Sequence, residues 1–186
     1  MFDLVQIIYW LALSTWFGAV LFVAITAPLI LRTARESKLV LTDVLSVNLE
    51  GQHGTLLGGA IVGKIMGIVF RVELACAGAL LVALIGQWIL LQPHGPYLMP
   101  PVVRTSLWVA ALGLLVYDWR VAWPRMWRDR QEYIDHADEP DVANPALDRL
   151  NRGQSEAAML LMFRVALLLG LILFSANVRP AMVVVT

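Results

Sequence analysis

Three charged side chains lie in or beside stretches that carry almost no other charge. Arg164 is embedded in residues 157–177, AAMLLMFRVALLLGLILFSAN, a run that is otherwise almost wholly apolar. A run of about 20 apolar residues is long enough to cross a bilayer. A guanidinium inside one costs at least ~2.5 kcal/mol on insertion scales, so its position marks a partnered group. Glu73 and Asp118 are the carboxylates at similar depth, each within a turn or two of the end of another apolar run. A long arginine can reach toward the nearer surface and meet either one. Two chemistries follow: an ion pair that fixes helix register inside a bundle, or a polar site for a proton, an ion or an anionic ligand.

Other chemistries find little support. The run Gly58–Lys64 reads GGAIVGK and imitates a phosphate-binding loop, but position 65 is Ile where a Ser or Thr must hold Mg²⁺. Nothing around it suggests the strand that such a loop follows, so no nucleotide is expected. His53, His94 and His136 all fall in connections, whereas axial haem ligation in a bundle needs histidines within spans. Cys76 is the single cysteine, so neither an intrachain disulfide nor a paired-cysteine metal site is possible. Ser14 and Thr15 have no basic partner at their depth, so no hydrolytic triad is visible. A net charge of zero gives no field for nucleic acid. No cofactor and no metal is expected.

The elements that must position the three charges are helices in lipid. The 186 residues are 59% hydrophobic, with a mean hydropathy of +0.72, and fit one membrane domain. Four spans are predicted, at residues 4–31, 72–91, 102–123 and 157–178. The first is longer than one crossing and is expected to tilt or to emerge near Pro28. It has no basic leader and too long an apolar run for a signal peptide, so it reads as a retained helix. The third is the weakest, bounded by Arg104, Asp118 and Arg120. Trp88, Trp119, Trp123 and Trp127 fall near helix ends, where interfacial anchors belong.

Eleven lysines and arginines lie on one side, ten in the connections 32–71 and 124–156 and Arg120 at the end of the third span, and only Arg104 and Arg179 lie on the opposite side. The positive-inside rule then puts both long connections in the cytoplasm and both termini outside. The membrane expected is the bacterial cytoplasmic (inner) membrane.

Residues 37–50 read as a short amphipathic piece, and 56–70 as a cytoplasmic-side interfacial helix before the second span, with Lys64 and Arg71 at headgroup level. Small residues recur at four-residue steps, Gly59, Gly63, Gly67, then Ala75, Ala79 and Ala83. Such a ridge lets helix backbones approach closely, within the bundle or in a homo-oligomer. Residues 129–151 read as a polar, mostly acidic cytoplasmic loop with short helical ends.

Three pieces carry a family resemblance: Trp16-Phe17-Gly18 followed by Ala27-Pro28 and Arg32; Gly63-Lys64 with Phe70-Arg71; and Pro124-Arg125-Met126-Trp127-Arg128-Asp129-Arg130. With these the chain resembles a four-helix membrane family of unknown function that includes a eukaryotic protein associated with cisplatin resistance. It is also loosely similar to copper-resistance D-type membrane domains. The resemblance implies a fold and no reaction. Members often carry a Phe-x-x-Leu-His-x-x-Ser stretch before the last helix; here Leu147–Gln154 lacks that histidine.

The sequence therefore predicts an all-α, four-transmembrane-helix bundle whose natural partners are the lipid bilayer and other membrane subunits. The function expected first is that of a non-enzymatic accessory or stabilising subunit of a membrane assembly. Second is a small transporter or permeation unit built on Arg164 with Glu73 or Asp118; third is a membrane-embedded enzyme. A water-accessible cavity reaching Arg164 separates the second from the first.

Overall fold

The computed structural model describes residues 2–36, 53–91 and 99–176. They form helices α1 (Phe2–Glu36), α2 (His53–Leu91), α3 (Met99–Tyr117), α4 (Trp123–Asp135) and α5 (Pro140–Ala176), with a five-residue π-turn, Asp118–Ala122, joining α3 to α4. No strand occurs among the described residues. Among the described residues, four helical stretches are long and apolar enough to cross a membrane: Asp3–Glu36, Leu56–Ile89, Pro101–Asp135 and Pro140–Ala176. The third has the lowest hydropathy, 1.3, because Arg104 and Asp118 leave only a short uncharged stretch between them.

The helices alternate in direction. One end of the bundle gathers the start of α1 and the ends of α2 and α5. The other gathers the end of α1, the start of α2, all of α4 and the start of α5. A mostly apolar interior also buries Glu73, Gln87, Arg104, Asp118, Arg164 and Ser175, while large apolar side chains such as Ile68, Val82, Phe163 and Leu173 are exposed. That arrangement suits helices whose outer faces meet hydrocarbon and whose polar groups must find partners inside.

Several boundaries differ from the sequence reading. α1 does not stop at Pro28 but continues to Glu36. Pro28 has no N–H to give the Ala24 carbonyl, so one helical bond is missing there. The close packing of α1 on α2 keeps the helix going beyond it. The separate interfacial helix expected at 56–70 does not form as an element of its own, because α2 runs unbroken from His53 to Leu91. Its glycines cost helix propensity, but two of them admit the partner helix. A Cβ added at Gly58 would lie 2.9 Å from the Ala34 Cβ, and one at Gly54 would strike the Ala34 carbonyl oxygen. The decoy Gly58–Lys64 is thus helical throughout. The amphipathic piece at 37–50 lies outside the described residues.

The ridge of small residues does not act as one contact face. Gly63 is buried against Trp127, where an added Cβ would come within 2.6 Å of the indole. Gly59 and Gly67 have nothing within 4 Å of such a Cβ, Ala75 is exposed, and Ala79 is half-buried beside the core that includes Ala83. Four residues turn a helix by about 400°, so the row drifts roughly 40° per step and leaves the interface.

The expected loop at 129–151 is almost entirely helical. α4 continues to Asp135, a short turn follows, and α5 begins at Pro140. The two helices are held together by a small core of Leu56, Tyr133, Ala137, Ala143 and Ala146. Arg149 adds contacts to Asp129 at 3.1 Å and Glu132 at 2.8 Å. The apolar side chains of this segment lie between its charged ones in sequence and meet only when the two helices pack.

Candidate functional site

Arg164 sits two-thirds of the way along α5, 12 residues before its end, or about 18 Å at the helical rise. Its side chain is fully buried and grips both carboxylates that the sequence offered as alternatives. Nη1 donates to Glu73 Oε1 at 3.1 Å and Oε2 at 2.8 Å, and Nη2 donates to Asp118 Oδ2 at 2.6 Å. Glu73 and Asp118 are 0% and 1% exposed. The guanidinium carbon also lies 5.9 Å from the centre of the Phe70 ring.

A fourth residue completes the group. The Trp16 indole N–H donates to Glu73 Oε2 at 2.9 Å, bringing α1 into contact with the ions. Trp16 is fully buried, and a buried indole N–H usually finds an acceptor. That was the sequence signal available for it: a tryptophan in the middle of span one, too deep to be an interfacial anchor. Four elements (α1, α2, the π-turn and α5) therefore meet at one ion cluster.

Asp118 reaches the cluster through local backbone geometry. It opens the π-turn, and the Trp123 N–H bonds back to its carbonyl, five residues earlier. Pro124 follows directly; it cannot donate to the Arg120 carbonyl, and its ring crowds that oxygen. Widening the turn relieves the crowding and buries both Asp118 and Ala122. Single π-turns of this kind often occur at functional positions.

Hydrogen bonding within the cluster is incomplete. Asp118 Oδ1 and Arg164 Nε are buried without a hydrogen-bond partner. Both residues line a groove of about 510 Å³. One wall is α1, with Val23, Ala27 and Pro28; the facing wall is α5, with Ala158, Leu161 and Met162. Val62 and Met66 of α2, together with Trp123 and Trp127, form the back. Pro28 and Met162 are exposed at the rim, so the groove opens between α1 and α5. Alanines at 24, 27, 157 and 158 face the space from both walls and are too small to fill it. Arg130 marks the far end of the groove, donating to the Leu56 carbonyl at 3.2 Å and stacking 5.0 Å over Trp127.

Tryptophans expected only as interfacial anchors divide in two. Trp123 packs edge-on against Phe70 and Trp127, with centroids 5.8 and 6.3 Å away, and belongs to the groove. Trp119 is exposed beneath Arg120, and Trp88 is exposed, donating to Thr105 at 3.3 Å.

A second polar group sits toward the opposite end of the bundle. The Tyr9 hydroxyl bonds the Ser175 hydroxyl, Arg104 lies 5.9 Å over the Tyr9 ring, and the Gln87 amide donates to Gln6 at 3.1 Å. Arg104, which the sequence placed at the edge of span three, is only 2% exposed. Among the described residues, no three His, Cys, Asp or Glu side chains are placed to hold a metal ion. Comparison with the models of known protein families, with curated proteins and with solved structures finds no match to this chain.

Proposed function

We propose that the protein is a small non-enzymatic transporter or permeation unit of the bacterial cytoplasmic membrane, working through the Arg164–Glu73–Asp118 cluster. A single observation carries this reading: a groove of about 510 Å³ reaches Asp118 and Arg164 from the exposed side of the bundle. Binding sites for drug-sized molecules span about 300–1,000 Å³ and pair apolar walls with a few placed polar groups. A bundle packed only for structure has no use for a cavity ending on buried ions, since such ions cost several kcal/mol each to desolvate.

In this reading both termini are non-cytoplasmic, and residues 56–70 lie at and below the cytoplasmic headgroup level as the start of α2. The groove then opens toward the cytoplasmic leaflet.

A second reading, an accessory subunit or homo-oligomer, rests on the outward-facing small residues Gly67, Ala75 and Gly78 of α2. They would let another helix approach.

Thiol labelling separates the two. Ala158→Cys, made in a Cys76→Ala background, puts a thiol on the groove wall. Maleimide reacts with thiolate, which needs water. In sealed vesicles the groove thiol should react at a rate comparable with a thiol at Asp138→Cys. A groove thiol that stays inert while the control reacts would overturn the transport reading.

A further inference from the structure

We infer that the groove takes a hydrophobic organic cation, an apolar body with one positive charge, seated with its charge at Asp118. This inference rests on the transport reading above and names the class of molecule carried. The cluster holds two carboxylates against one guanidinium, and both Nη atoms of Arg164 are already engaged. The acceptor left over is Asp118 Oδ1, on a side chain 1% exposed that lines the groove and has no hydrogen-bond partner. An excess carboxylate oxygen away from water attracts a cation or a hydrogen-bond donor and repels an anion.

The walls select for the rest of the molecule. Val23, Leu161 and Met66 offer only apolar surface. Trp123 and Trp127 also line it, and aromatic rings attract desolvated cations, as Arg130 over the Trp127 ring already shows. Arg130 is the one other charge lining the groove among the described residues; its guanidinium is stacked on Trp127 and one Nη donates to the Leu56 carbonyl, while its Nε has no partner. A small hydrated ion would leave those walls unsatisfied, and a neutral lipid chain would leave Asp118 Oδ1 unmatched. The lateral opening between α1 and α5 gives such a molecule a route from the bilayer, where it partitions. The anionic ligand weighed from the sequence is thus disfavoured, because two carboxylates outweigh the charge of the one guanidinium and hold both its Nη atoms, leaving only Nε without a partner.

Tetraphenylphosphonium and tetraphenylborate test this, since they share size and shape and differ in charge. Each is added to vesicles carrying the Cys76→Ala, Ala158→Cys protein before maleimide. Tetraphenylphosphonium should slow labelling of the groove thiol by the factor 1 + [L]/Kd, roughly tenfold at ten times Kd. Tetraphenylborate and neutral tetraphenylmethane should leave the rate unchanged, and neither ion should affect a thiol at Asp138→Cys. Asp118→Asn should return the rate to its value without the cation. Where that variant fails to fold, the comparison of the two ions on the parent background decides alone. Equal protection by the anion or the neutral compound, or no protection by the cation, overturns the cation assignment while the transport reading stands. A groove thiol that maleimide never reaches overturns both.

Discussion

Asp118 and Pro124 bracket one distortion: the first opens the π-turn and the second follows the residue that closes it, Trp123. The missing N–H of Pro124 decides where the carboxylate of Asp118 points. A local backbone effect thereby delivers one of the three ions to the cluster.

Pro124→Ala should therefore destabilise the protein, although removing proline from a helix interior normally helps. With the N–H restored, residues 118–122 can return to α-helix, and losing the extra residue turns α4 by about 100° relative to α3. Either Asp118 or the Trp123–Trp127 pair must then leave its place. A lower melting temperature in detergent is expected, and an increase would show that Pro124 does not hold the turn.

Arg164→Met should cost roughly 3–5 kcal/mol, the usual penalty for stranding buried partners of a charge. Because the arginine serves two carboxylates, adding Glu73→Gln alone should recover only part of the loss. The triple change with Asp118→Asn should recover most of it, since removing a whole buried ion group is often nearly neutral. Thermal unfolding of the three variants checks the order. Full recovery by the double variant would mean that Asp118 is not held by Arg164.

The glycines of α2 should split by position. Gly58→Leu has to displace Ala34 and Leu31 of α1 and should lower the melting temperature by several degrees. Gly67→Ala meets no atom within 4 Å and should stabilise by up to about 1 kcal/mol through helix propensity. Similar effects at both sites would contradict the packing of α1 on α2.

Topology is testable by reporter fusions. Eleven lysines and arginines against two lead us to expect a cytoplasmic signal after Asp138 and a non-cytoplasmic one at Thr186. A cytoplasmic signal from the second fusion would invert the proposed orientation and the leaflet to which the groove opens.

The sequence alone determined the helical class, the four long apolar stretches, and the need of Arg164 for a carboxylate. Those follow from hydrocarbon thickness and from the cost of an isolated charge in it, both of which act on composition along the chain. It also narrowed the partners to Glu73 and Asp118 by depth. The engagement of both together with Trp16, the burial of Arg104, and the use of Gly54 and Gly58 instead of Gly59 and Gly67 were decided by tertiary structure. Depth along an axis can be counted from residues, but which way a side chain faces depends on helix rotation, and that is fixed only when all the helices pack together. The groove is further still from sequence, because it is the space that small residues on α1 and α5 leave unfilled. An alanine's smallness is written in the chain; the identity of the helix facing it is not.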